Sequence, residues 1–230
     1  YVDELANAAG ADPVAYRLQH LNDDRAAELL RATADKAGWV PHTQPQGKLP
    51  EGAQGEWLQG QGVAYARYVH SKFPGYGAAW AAWVADVAVH RDTGEVHVKR
   101  VVVGQDQGLM VNPKGVEQQV HGNVLQTTSR ALKERVAIEP TTQLPESREW
   151  GSYPILSFRE VPVVEVLLMP RPGEAPLGVG ESASVPGTAA IANAIFDATG
   201  VRLRQPPFTP EVVRAAMHPL PRSEEHTSEL

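Results

Sequence analysis

The chain has no cysteine among its 230 residues. That excludes disulfides, thiolate metal ligands, a cysteine nucleophile and any iron–sulfur cluster held by this chain alone. Positive charge is not in excess either. Twenty-one Lys and Arg stand against 27 Asp and Glu, a formal net charge of −6, so there is no electrostatic footprint for nucleic acid. No apolar run approaches the roughly 20 residues of a membrane span. Ready-made catalytic sets are missing too: no His-Glu-x-x-His, no Walker lysine loop, no G-x-S-x-G elbow and no G-x-G-x-x-G. The eight histidines are scattered, which argues against a metal site built from protein side chains. His90 and His97, beside a hairpin, read as surface residues.

What is present is a globular composition, 42% hydrophobic and 21% charged. Two short helices are expected at 2–9 and 13–20, with Asp12-Pro13 as N-cap and first-turn proline of the second. Asp24 to Ala37 carries Ala27, Leu30, Ala34 and Ala37 on one face and ends at Gly38. Residues 1–40 therefore form a helical segment. Residues 41–56, rich in Pro and Gly, read as a linker loop. Strands follow at 61–69, 83–90 and 95–103, the last two flanking Asp92-Thr93-Gly94. A helix opens at Asn112-Pro113 and runs to about Arg135; 138–152 is irregular; 161–168 is a strand. A helix over Val185–Thr199 ends at Gly200, and a short one follows Pro210. Strands followed by packed helices, without regular alternation, give an α+β class with mixed sheets. Residues 222–230 read as the translation of a sequencing adapter and are expected to be non-native. Removing their one arginine and three glutamates takes the net charge from −6 to −4.

Two segments stand out for chemistry. On the 113–135 helix, Gln119, Asn123 and Gln126 put three amides on one face, with Gly122 between them. Buried amides need partners, so they bond either loop backbone or a polar cofactor rich in amide-like groups. The second segment is Pro176-Leu177-Gly178-Val179-Gly180-Glu181-Ser182. Gly178 and Gly180 permit a tight turn, and the helix that follows presents free N–H groups. A desolvated Glu181 would act as a base near neutral pH; the alternative is a carboxylate that merely complements the helix dipole. Phe73, Tyr76, Trp80, Trp150 and Tyr153 are candidate pocket aromatics, each with a competing role in core or interface. The Phe73–Gly77 loop is the part of this set that would reach a substrate channel.

In order and spacing, several stretches resemble the molybdenum-cofactor-binding large subunit of the xanthine dehydrogenase and aldehyde oxidase family, in its isoquinoline 1-oxidoreductase β-subunit branch. They include Val2–Ala6, Val111-Asn112-Pro113, Gln119–Gln126, Ser152-Tyr153-Pro154, Gly178–Glu181 and Ala192–Gly200. The resemblance implies that 57–221 is the C-terminal part of a molybdopterin-binding domain and that the chain is a fragment of the large polypeptide. It implies oxidative hydroxylation of an aldehyde or N-heteroaromatic C–H with water-derived oxygen. Glu181 falls on the family's catalytic glutamate and Gln119 on a glutamine that hydrogen-bonds the pterin. Gly178, Gly180, Asn123 and Gln126 complete the implied cofactor surface. The cofactor would be molybdopterin or its cytosine dinucleotide form. Implied partners are a small [2Fe-2S] subunit, a cytochrome c or flavin subunit as acceptor, and a small-molecule substrate. The compartment, cytoplasmic or periplasmic in a bacterium, stays open. The competing class is a non-catalytic cofactor-binding or assembly module of the same fold.

The sequence departs from the family at Ser182-Ala183-Ser184, where proline-rich sequence is usual, and at Gln105–Gly108. The upstream glycine-rich segments that also bind the cofactor are absent. Residues 1–221 alone are therefore expected to hold no stoichiometric molybdenum, which metal analysis of the purified segment checks.

Overall fold

A run of 13 residues, Ala78–His90, is buried along almost its whole length. In a computed structural model, which describes residues 1–47, 55–69 and 77–219, this run is the second strand of a four-stranded sheet. The elements are α1 (Val2–Ala8), α2 (Pro13–His20), α3 (Asp24–Ala37), β1 (Trp57–Val69), β2 (Ala78–His90) and β3 (Val96–Asp106). After them come α4 (Pro113–Leu132), β4 (Val163–Leu168), α5 (Gly187–Thr199) and α6 (Pro210–Met217). Strand order is β1-β2-β3-β4, with β1, β2 and β3 antiparallel and β4 parallel to β3. The expected α+β class with a mixed sheet is what the chain adopts. Phe73, Tyr76 and the 222–230 tail lie outside the described residues.

Helices cover both faces, so β2 has no polar face to alternate. Ala81, Trp83, Ala85, Val87 and Val89 point towards α4 and α5. Trp80, Ala82 and Val84 point towards α3, where Leu29, Leu30 and Ala34 meet them. Alanine-rich 78–82 has little intrinsic strand preference, which is why the strand signal in the sequence starts only at 83. Burial between two helical layers overrides that preference.

β3 carries a bulge. Asp86 pairs with Arg100 and Val87 with Val98, leaving Lys99 as the extra residue. Val96 and Val98 on one side of it and Val101 and Val103 on the other therefore all face α4 and α5.

α5 seats directly on β1. A Cβ on Gly62 would stand 2.1 Å from the Ala194 nitrogen, and one on Gly60 2.3 Å from the Ala194 oxygen. Ala190, Ala194 and Ala198, one per turn, form the helix side of the contact. No side chain fits between the two backbones. Within the 41–56 segment, residues 42–47 are tied to the same helix. Gln46 N–H donates to the Asp197 carboxylate, and Gly47 N–H to its carbonyl. His42 Nε2 lies 3.1 Å from the carboxylate, and that bond raises the His42 pKa.

Two helix ends differ from expectation. α4 stops at Leu132 because Lys133 leaves the helical region at φ −133. The Val185–Thr199 helix begins at Gly187; Pro186, which has no N–H, is its N-cap, and residues 182–184 form a separate 3-10 turn. Between α4 and β4 the chain leaves Trp150 (102%) and Phe158 (99%) fully exposed.

Gly62→Ala is expected to destabilise the fold by about 1–3 kcal/mol, because the clash is with helix backbone, which cannot rotate away. A thermal or urea unfolding curve checks this, and an unchanged midpoint would contradict the seating of α5.

Candidate functional site

The turn that leads into α5 is held one residue at a time. Asn123 Nδ2, from buried mid-α4, donates to the Gly180 carbonyl at 3.0 Å. The Tyr68 hydroxyl, near the end of β1, donates to Glu181 Oε2 at 2.7 Å. Gln105, from β3, exchanges two hydrogen bonds with the Ser182 hydroxyl, at 2.9 and 3.2 Å. Trp83 Nε1, from β2, donates to the Ala183 carbonyl at 2.6 Å, and Thr127 reaches the Ser184 carbonyl at 3.4 Å. Five consecutive residues are thus fixed by four different elements. Ser182 and Ala183 are fully buried, whereas Glu181 is exposed.

The arrangement presents one carboxylate on a rigid base. Glu181 heads the 3-10 turn and makes no side-chain cap bond. The α5 dipole, which falls off within its first turn, has little hold on it. The hydrogen bond to Glu181 raises the Tyr68 phenol pKa above its ordinary value, so the phenol is the donor.

The amides separate by role. Asn123 is buried and spends its Nδ2 on the Gln119 and Gly180 carbonyls. Gln119, Gly122 and Gln126 are exposed, and the two glutamine side chains make no hydrogen bond among the described residues. A Cβ on Gly122 or Gly180 would meet nothing within 4 Å. Packing among the described residues therefore gives no reason for either glycine, although a mid-helix glycine costs about 0.5–1 kcal/mol relative to alanine.

Gln119 and Gly178 both line one cleft of ≈ 300 Å³, together with Asn112, Gly115 and Leu177. Gly180 and Glu181 continue from its Gly178 wall, and Gln126 lies outside the lining. Another hollow, ≈ 420 Å³, lies at the opposite end of β3 against Val96, Lys99, Arg159 and Phe208; none of the candidate residues lines it.

Three groups at the site are not evident from the sequence pattern as parts of it. Tyr68 is one; its signal is that it lies on the same strand face as Gly60 and Gly62. Gln105 is another, a polar residue in phase with Val101 and Val103. The third is Gln107, on the cleft wall, whose carbonyl accepts from Leu177 N–H at 2.9 Å. Its side-chain amide is buried with neither atom bonded. Behind that wall, fully buried Asp106 is gripped by Arg25 of α3 and by Arg171, the latter at 2.8 Å, and accepts from Gly108 N–H. Burial pushes the Asp106 pKa up, but the two guanidiniums and the amide outweigh it and hold the carboxyl below its usual value.

Of the candidate aromatics, Trp80 belongs to the α3 core on the far face. Its Nε1 donates to Asp23, and Arg25 stacks over its ring at 4.2 Å. Trp150 is exposed, and Tyr153 donates to Glu134 at 3.0 Å; neither lines the cleft. Among the described residues, no group of three or more His, Asp or Glu side chains is placed to hold a metal ion. No helix among them is long and apolar enough to cross a membrane.

Residues 12–162 match the family model described as "Molybdopterin cofactor-binding domain". Gln119 lies inside that match and Glu181 beyond it. The chain is 63% identical over 217 residues, 94% of its length, to a nicotinate dehydrogenase subunit from Pseudomonas putida. It is 31% identical over 93% of its length to the β-subunit of isoquinoline 1-oxidoreductase from Brevundimonas diminuta. It spans 18% of the first relative and 25% of the second. Both names describe components of multi-subunit assemblies. Among solved structures, quinoline 2-oxidoreductase from Pseudomonas putida 86 superposes with a TM-score of 0.58 at 27% identity, over 64% of this chain and 20% of that one.

The buried Gln105–Ser182 pair makes the clamp testable. Ser182→Ala leaves the Gln105 amide unpaired and is expected to cost about 1–3 kcal/mol; adding Gln105→Leu removes the orphan and should restore part of it. Urea denaturation of the three variants checks this, and strictly additive losses would count against the pair.

Proposed function

Because the chain belongs to the molybdopterin cofactor-binding domain family, we propose that it supplies the general base and part of the cofactor surface of a molybdenum hydroxylase. The substrate class we propose is an electron-poor N-heteroaromatic ring bearing a carboxylate, of the nicotinate type. The 63% identity to the nicotinate dehydrogenase chain, against 31% to the isoquinoline enzyme, supports that class over aldehydes and uncharged rings.

The observation that carries the mechanistic reading is the clamped turn with Glu181 exposed at its head. The residues around it fit a pterin cofactor. Gln119 and Gln126 offer amides that are unbonded among the described residues, and Gly122 and Gly180 leave open the space a side chain would fill. Gln119 would hydrogen-bond the pterin, with Gly178 and Gly180 allowing close approach to the backbone. When bound, the molybdenum-pterin cofactor supplies a two-electron redox centre and the site at which water-derived oxygen is delivered. Glu181 would accept a proton from the water-derived oxygen at Oε1, the carboxylate oxygen that Tyr68 does not occupy. Asn123 serves Glu181 indirectly, by holding the Gly180 carbonyl. Electrons leave through a partner subunit of the [2Fe-2S] type, consistent with a chain that has no thiolates to hold a cluster, and pass on to a cytochrome c or flavin acceptor.

Glu181→Gln in the complete enzyme is expected to lower turnover by about 10²–10⁴-fold with molybdenum and pterin content retained. Steady-state kinetics beside metal analysis checks this. Unchanged turnover would sink the base assignment.

A further inference from the structure

We propose that Tyr68 is a positioning residue for Glu181: by holding Oε2, its hydroxyl fixes the direction in which the other carboxylate oxygen faces the cofactor. The inference rests on the reading of Glu181 as the base.

Four of the five clamp contacts grip backbone carbonyls or the Ser182 hydroxyl. They place the Glu181 Cα but leave its side-chain torsions undetermined. A glutamate has three such torsions and loses much rotamer entropy when ordered, and an exposed one has no packing to select a rotamer. The 2.7 Å bond from Tyr68 is the contact that acts on the carboxylate itself. Its donor comes from a rigid origin. Tyr68 pairs with Ala79 of β2 in continuous antiparallel register and lies on the same face as Gly60 and Gly62. Those glycines seat α5, and the Glu181 turn leads into α5. Donor and acceptor are therefore fixed to one another through the α5–β1 contact. A misplacement of about 1 Å at a reacting group can cost on the order of a hundredfold, so a contact that removes torsional freedom from a base acts on turnover more than on binding.

The experiment uses the complete holoenzyme with Tyr68→Phe, Glu181→Gln and the double variant. Turnover is expressed per bound molybdenum, so any change in cofactor loading is divided out. Tyr68→Phe keeps the ring and loses the donor. The expected result is a fall in kcat of about ten- to a hundredfold, with KM, pterin content and unfolding midpoint unchanged. Adding Tyr68→Phe to Glu181→Gln should then produce no further loss, the signature of two residues acting as a unit. Unchanged kcat in Tyr68→Phe, beside a large loss in Glu181→Gln, overturns the positioning role and leaves the base assignment standing. An equal loss from Tyr68→Phe in both backgrounds also overturns it, since the phenol would then act without Glu181. Full turnover in Glu181→Gln overturns both.

Discussion

The contact between α5 and β1 is a backbone-on-backbone seating, and the site depends on it. Side chains packed against side chains tolerate small shifts by changing rotamer. Backbones separated only by glycine and alanine have no such slack. Gly60 and Gly62 meet the Ala190, Ala194 and Ala198 stripe with no room for one more carbon. That fixes α5 in height and in rotation. The turn that opens α5 is then delivered to a defined place beside β1, β2, β3 and α4, where side chains from each can close on it.

Those side chains are unusual for the layer they occupy. The α4/α5 face of the sheet is built mainly from small and apolar residues, yet Gln105 and the Trp83 indole N–H point into it. A buried polar group without a partner costs free energy, and one with a partner contributes modestly. The reason to keep such groups is geometric: hydrogen bonds are directional where apolar contacts are not. The 3-10 segment 182–184 is too short to hold its own shape, and it borrows its order from the sheet. Asp106 does the same for the cleft wall from the opposite layer, where Arg25 and Arg171 neutralise a carboxylate that has no exposure.

Much of this is legible in the residues. The helix N-caps at Asp12 and Asn112 and the stop at Gly38 follow from local chemistry, and each stands where expected. The Val-rich strands form, but with other bounds: β1 is Trp57–Val69 against 61–69, β3 Val96–Asp106 against 95–103 and β4 Val163–Leu168 against 161–168. The beginning of β2 is not legible, because the alanine-rich stretch 78–82 owes its conformation to two helical layers that local sequence does not display. The amide stripe of α4 is legible as a pattern but not in its division of labour. Spacing puts Gln119, Asn123 and Gln126 on one side, yet Asn123 is turned inward to Gly180 while its neighbours face out. Tyr68 could not be matched to Glu181 in advance, since the pair is 113 residues apart in sequence and meets only in the folded chain.

The bulge at Lys99 bears on how such a chain can change over time. In a strand, neighbouring side chains take opposite faces, and a shift of one residue exchanges them. Gln105 meets Ser182 and Asp106 meets the arginines because the extra residue at 99 sets the phase of everything after it. Loss of a single residue between the bulge and Gln105 would bring Asp106 to the place facing Ser182 and Gln107 to the place between the two guanidiniums; gain of one would leave Gly104 facing Ser182 and Gln105 between the guanidiniums. Substitutions along β3 can be absorbed one at a time, but length changes there cannot. Variation in length in such a protein belongs in its surface connections, with the strand itself inherited as a fixed count.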